Sequence, residues 1–268
     1  GASETFTVKL RRIADDSATW TIPRIELDRV FIGESTRIEL PSVSTPVKLQ
    51  LAAVPADYFS GENNQCLEVT GERSAIRVDS DSLALPNGPF TLEAWLNPSQ
   101  TEGMRGVVAK TQSSEFAIFS DEGVPQFDVN LDGKYYSAKA KDKLAVNEWT
   151  HVAGAFDGEN VRIYVSGKQI ASVSAKGKRK TNRYPLYVGA DPDNAGQPTR
   201  SFLGKIDEVR ITTGAVYTDD FEPARRLSPT ADTRLLLHLD RTLGPYVLDH
   251  SPAAGMGTLG PNSKFSAR

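Results

Sequence analysis

Between Phe90 and Ile211 apolar and polar residues alternate in short runs separated by turn formers, which is the period of extended strands rather than of helices. Val152, Gly154 and Phe156 fall on one side of an extended chain, while Trp149, His151, Ala153 and Ala155 fall on the other. A strand with apolar groups on both faces belongs inside a sandwich. After it, Asp157-Gly158-Glu159-Asn160 reads as a turn, Val161 to Val165 alternates, Ser166-Gly167-Lys168 turns again and Gln169 to Val173 alternates once more, predicting three sequential antiparallel strands. Upstream, the runs at Gly106–Ala109, Phe116–Phe119, Pro125–Val129 and Tyr135–Ala138 repeat the pattern with Asp, Glu, Gly and Asn between them, and Arg234–Leu239 reads as a final buried strand.

Short alternating runs also fill the first 60 residues: Thr5–Leu10, Trp20–Ile22, Arg24–Leu27, Arg37–Leu40 and Val47–Leu51. They fit a small immunoglobulin-like unit or an extension of the following sheets. The boundary chemistry of Pro55-Ala56-Asp57 and Gly61-Glu62-Asn63-Asn64 favours a separate β-rich segment over residues 1–60. Beyond residue 242, Leu248-Asp249-His250-Ser251 and the Gly-rich 254–260 stretch read as a C-terminal tail or the start of a further repeat over 243–268.

Five blocks occur in a telling order: Gly88-Pro89-Phe90-Thr91-Leu92-Glu93-Ala94-Trp95, Glu148-Trp149-Thr150-His151-Val152-Ala153, Val161-Arg162-Ile163-Tyr164-Val165-Ser166-Gly167, Tyr187-Val188-Gly189 and Phe202-Leu203-Gly204-Lys205-Ile206-Asp207-Glu208-Val209-Arg210-Ile211. In this the chain resembles concanavalin A-like domains of the laminin G/pentraxin type. The resemblance implies an all-β, two-sheet antiparallel jelly-roll sandwich over residues 62–242, in a secreted, periplasmic or cell-surface bacterial protein. It implies little about function, because that fold carries lectins, adhesion modules, glycosidases and spacers alike.

Composition narrows the field. The 39% hydrophobic content with 21 Gly and 16 Pro suits many short strands joined by turns. A net charge of −3 supplies no global field toward nucleic acid or an anionic membrane. No apolar run is long enough to span a bilayer as a helix. The one cysteine, Cys66, excludes an intrachain disulfide and reads as a buried filler.

The candidate chemistry is sparse. A glycosidase needs two converging carboxylates, whereas Asp207 and Glu208 are adjacent and, on a regular strand, point to opposite faces. Asp207 then bonds a neighbouring loop or supports a metal, and Glu208 is solvated. His151 and His238 read as packed imidazoles, and no nucleophile elbow is present. The resemblance implies a calcium ion held in a rim loop. The oxygen-rich loop after the Tyr187 strand offers Asp191, Asp193 and Asn194 as its metal ligands, with Asp121, Glu122 and Asp128 as further donors. Lys178, Arg179 and Lys180 form a basic cluster that can bind acidic polysaccharide, or stand as a solvated hairpin tip. Trp95 and Trp149 read as core packing, and of Tyr135 and Tyr136 one faces outward. These features favour a non-catalytic module that binds a glycan or an extracellular protein through rim loops. The alternatives are a glycoside hydrolase or lyase and a structural spacer in a larger chain.

Overall fold

In the computed structural model the chain divides into units of residues 1–63 and 64–268. The structure describes 64–268 except 243 and 254 and, as backbone only, 4–11, 19–21, 25–27 and 53–55. In the first unit, β1 (Glu4–Arg11) pairs antiparallel with β2 (Thr19–Thr21), β3 (Ile25–Leu27) and β4 (Ala53–Pro55). The expected strands at Arg37–Leu40 and Val47–Leu51 lie outside the described residues.

The second unit is a two-sheet antiparallel sandwich. Its strands are β5 (Gln65–Val69), β6 (Ile76–Val78), β7 (Phe90–Pro98), β8 (Met104–Lys110), β9 (Phe116–Asp121), β10 (Val124–Leu131), β11 (Lys134–Lys139), β12 (Thr150–Phe156), β13 (Asn160–Val165), β14 (Lys168–Ser174), β15 (Leu186–Val188), β16 (Asp191–Pro192), β17 (Pro198–Thr199), β18 (Gly204–Thr213), β19 (Thr233–Leu237), β20 (Tyr246–Leu248), β21 (Met256–Leu259) and β22 (Lys264–Ala267). Sheet I runs β14-β13-β12-β7-β18-β5-β22 with β19 also on β18, and sheet II runs β11-β10-β9-β8-β15-β6-β21-β20. The strands thus continue past residue 242: β21 pairs with β6 and β22 with β5, so residues 243–268 contribute to both sheets.

Alternation explains the core. Phe90, Leu92, Ala94 and Leu96 of β7 turn inward and meet Phe116, Ile118, Phe127 and Val129 from the other sheet. The Phe90 ring lies 4.8 Å from Phe116, 5.8 Å from Phe127 and 6.4 Å from Phe156. Each such fully buried side chain contributes about 1.5–3 kcal/mol by leaving water.

The outer face of sheet I is covered by the irregular segment 214–232. Its first residues are pinned by Gly214 N–H to Pro89 O (2.8 Å) and Phe221 N–H to Gly167 O (2.8 Å). Gly167 has φ 76° and a Cβ there would sit 1.9 Å from Phe221 O, so only glycine lets the segment approach so closely. Tyr217 and Phe221 stack at 3.5 Å and pack with Ala153, Ala155 and Tyr164.

Candidate functional site

Sheet II exposes a polar outer face at its β10–β11 side. Because Phe127 and Val129 face the core, Gln126 and Asp128 face outward, and register places Asp128 between Ser137 of β11 and Ala117 of β9. Tyr136 packs against the core while its neighbour Tyr135 faces outward at 36% exposure. The Tyr135 hydroxyl donates to Ser114 O (2.8 Å) and accepts from Ser114 N–H (3.1 Å), which fixes the ring. Lys139, at the far end of β11, ion-pairs with Asp121 at 2.6 Å.

Asp128 is the unusual member of this face. It is 7% exposed; Oδ2 accepts from Gln126 Nε2 at 3.1 Å, while Oδ1 is buried with no aligned hydrogen bond among the described residues. Burial pushes its carboxyl up, against the pull of Ser137 and Gln126.

The neighbouring wall is the β16–β17 hairpin. It crosses β8 where Gly106 donates to Arg200 O at 2.7 Å, and a Cβ on Gly106 would lie 2.5 Å from the Ala190 carbonyl carbon, so glycine is what lets the hairpin seat. Asp191, 1% exposed, receives the Thr111 hydroxyl on Oδ1, and its Oδ2 faces the Arg200 guanidinium at 3.2 Å without an aligned hydrogen bond. Burial raises its carboxyl as well, Thr111 and Arg200 oppose that, and the charge of Asp128 adds to the rise.

The expected calcium ligands take separate partners in and around the hairpin. Asp191 is engaged as above, Asp193 Oδ1 accepts the backbone N–H groups of Ala195 (2.8 Å) and Gln197 (2.9 Å), and the Asn194 carbonyl accepts the Tyr184 hydroxyl at 3.0 Å. An ion on Asp191 competes with Thr111 and Arg200 for its carboxylate. Among the described residues no three His, Cys, Asp or Glu side chains converge as metal ligands.

The basic cluster divides. Lys178 and Lys180 are exposed, whereas Arg179 is 3% exposed. Its guanidinium meets Glu115 at 2.7 Å, donates to Leu85 O and Pro86 O, and lies over the Phe90 and Phe116 rings. Glu115 also holds the buried Lys110 at 3.0 Å. Arg179 is therefore a buried clasp, a correction to its reading as a surface ligand-binding cation.

The outer face of sheet I corrects the reading of Asp207 and Glu208. A β-bulge between Asp207 and Arg210, with Glu208 at φ 51°, interrupts the alternation. Both acids consequently take partners on the outer side and both are buried; Glu208 is not solvated. It accepts from Leu227 N–H (2.7 Å) and approaches His238 Nδ1 (2.9 Å), anchoring the covering segment. Beside them Glu93 is the centre of a buried network: Arg210 Nε at 2.8 Å, His151 Nε2 at 3.0 Å and the Tyr217 hydroxyl at 2.8 Å. Trp95 and Trp149, expected in the core, stand half-buried on this face, and Trp95 Nε1 donates to Ala224 O at 3.0 Å.

The fold and its order of strands can now be set against known proteins. The profile of the family described as the concanavalin A-like lectin/glucanases superfamily matches residues 70–220. The chain belongs to this superfamily. The match ends before β19–β22, the strands that complete the concanavalin A-like sandwich here. Human pappalysin-1 is 26% identical over 134 residues, 43% of this chain and 8% of that protein, and mouse pappalysin-1 is 25% identical over 139 residues with the same coverage. The chain thus matches less than a tenth of the length of these curated relatives. Among solved structures, a Bacteroides ovatus ATCC 8483 protein named for a suspected role in carbohydrate binding aligns with a TM-score of 0.62 and 16% identity, over 82% of this chain and 67% of its own. At that identity it shares the fold. No helix among the described residues is long and apolar enough to cross a membrane.

Proposed function

We propose that the sandwich unit is a non-catalytic recognition module, acting outside the cytoplasm, that binds a glycan on the β10–β11 side of sheet II. The observation that carries this reading is the outward Tyr135 ring, 36% exposed and fixed by Ser114, on a strand face that also presents the exposed Ser137 and Lys139. A half-exposed tyrosine held by Ser114 offers a rigid apolar surface for a pyranose, and the exposed Ser137 hydroxyl and Lys139 ammonium offer hydrogen bonds to sugar hydroxyls. A hydrolase reading lacks a free second acid here: Asp191 is held by Thr111 and Arg200, and Asp121 by Lys139. The carbohydrate-binding name of the Bacteroides ovatus neighbour agrees with the reading.

The test is a glycan array followed by calorimetry on wild type, Asp128→Asn and Tyr135→Ala. Loss of the aromatic platform in Tyr135→Ala weakens binding roughly tenfold, and Asp128→Asn, which acts only through its neighbours, weakens it less. A hit that ignores both substitutions but fades with salt and with Lys178→Ala/Lys180→Ala moves recognition to the basic rim. Release of new reducing ends from a bound oligosaccharide favours the hydrolase reading, and an array without hits favours a protein partner or a spacer. Calcium is included at each step; a chelator-sensitive melting temperature lost in Asp191→Ala/Asp193→Ala would assign an ion to that loop.

A further inference from the structure

On sheet I, far in the strand order from β10 and β11, two tryptophans and an acid surround a single cation. Trp95 and Asp207 are direct cross-strand partners on β7 and β18. Trp149 immediately precedes β12, whose His151 pairs with Trp95 from the other side. The Arg268 guanidinium carbon lies 5.3 Å from the Trp95 ring centroid and 5.0 Å from that of Trp149. Its Nη1 stands 2.8 Å from Asp207 Oδ2 and donates to Arg225 O at 3.1 Å. Although Arg268 directly follows the edge strand β22, its side chain is only 7% exposed.

This is the chemistry that recognises a guanidinium: two aromatic faces for the flat cation, a carboxylate at its edge and a carbonyl for a further N–H. The occupant does not use the site fully. Asp207 is 2% exposed, and its Oδ1 is buried with no aligned hydrogen bond among the described residues, whereas a well-placed guanidinium contacts both oxygens of a carboxylate. Burial pushes the Asp207 carboxyl up to about 8, with Arg268 opposing the shift, so the acid is held with less cationic compensation than its burial calls for. Both indoles are half-buried, so each keeps part of its surface in solvent.

We propose that Trp95, Trp149 and Asp207 form a receptor for an arginine side chain presented by a protein partner, with Arg268 as its exchangeable intramolecular occupant. The partner is a polypeptide with an exposed arginine; its guanidinium displaces Arg268, slides between the indoles and engages both oxygens of Asp207. This binding is independent of the glycan face on sheet II, so either can fail alone.

The experiment titrates Nα-acetyl-L-arginine amide into wild type and Arg268→Ala, read by tryptophan fluorescence and calorimetry. Arg268→Ala binds the probe at least about tenfold more tightly than wild type, because no tethered competitor remains. Adding Asp207→Asn or Trp149→Ala to that variant lowers affinity about tenfold or more, and Nα-acetyl-L-lysine amide binds more weakly than the arginine probe. Equal affinity in wild type and Arg268→Ala, or unchanged affinity after Asp207→Asn, overturns the proposal. Should circular dichroism show that Arg268→Ala is unfolded, Arg268→Gln keeps the first three carbons of the side chain without the guanidinium and carries the same comparison. The wild type itself gives a saturable fluorescence response at higher probe concentration, and its absence overturns exchange.

Discussion

Replacing Glu93 by alanine destabilises the sandwich unit by about 3–5 kcal/mol, the cost of breaking a buried ion pair while leaving its partner charge in place. Glu93 is fully buried and is the shared acceptor for Arg210, His151 and Tyr217, which come from one sheet strand on each side and from the covering segment. Truncation strands the Arg210 guanidinium, whose other bonds reach only Ser228 O and the Tyr217 hydroxyl. It also releases Tyr217, and with it the stacked Phe221. Thermal melts followed by circular dichroism should show a fall on the order of 10 °C for a unit of this size. Glu93→Gln retains the shape and part of the hydrogen bonding but not the counter-charge, so it falls between wild type and alanine. The pH dependence follows the same residue. Burial alone would raise the Glu93 carboxyl, but the hydrogen bond from His151 and the charge of Arg210 outweigh it and hold the group below its ordinary 4.5. An acid lowered in the folded state binds fewer protons there than when unfolded, so its contribution is complete above about pH 4.5 and is lost as pH falls through the folded value. The stability difference between wild type and Glu93→Gln should therefore shrink on acidification below that point; a difference constant down to pH 3 would show that the charge is not what Glu93 contributes.

Much of the fold was legible from alternation and turn chemistry, because strands that bury one or two faces write their orientation into every second residue. The grouping of Val152, Gly154 and Phe156 on one side of their strand and the division between Tyr135 and Tyr136 follow from that rule alone. The outer face of sheet I did not, for identifiable reasons. A bulge removes the period-two inference at the point where Asp207 and Glu208 stand, and nothing in Asp-Glu-Val announces that Glu208 takes a positive φ. Arg179 sits in a run of cations that reads as a hairpin tip, and its buried role depends on Glu115, 64 residues earlier in the chain. Apolar rings default to the core, yet Trp95 faces the Asp207 carboxyl across the sheet and both tryptophans have Arg268 as their companion. Of the site on sheet II, only the outward face of one of the two tyrosines and Asp128 as an oxygen donor were visible locally; which tyrosine it is, and its juxtaposition with the hairpin at Asp191, needed the register of the strands.

Placing a methyl group at position 154 should be almost as damaging as losing Glu93, and for the opposite reason. Gly154 lies on β12 between Val152 and Phe156, facing the core, and a Cβ there would meet Phe127 ring carbons at 2.2, 2.3 and 2.6 Å. Two effects compete in Gly154→Ala. Replacing glycine in a strand gains about 0.5–1 kcal/mol from the unfolded chain's reduced freedom. Against it stands overpacking, typically 1–3 kcal/mol and more where the neighbour has no room to give. Phe127 has none: it is fully buried and its ring packs against Phe90, which in turn meets Phe116 and Phe156. The clash wins, and Gly154→Ala should cost about 2–3 kcal/mol, with Gly154→Val costing more. The mechanism is checked by shrinking the obstacle. Phe127→Leu alone opens space and destabilises, but in the double variant the alanine methyl occupies part of that space, so the combined loss is smaller than the sum of the two single losses by roughly 0.5–3 kcal/mol. Additive losses in the double-variant cycle would mean that Gly154 is required for its backbone conformation rather than for the room it leaves to Phe127.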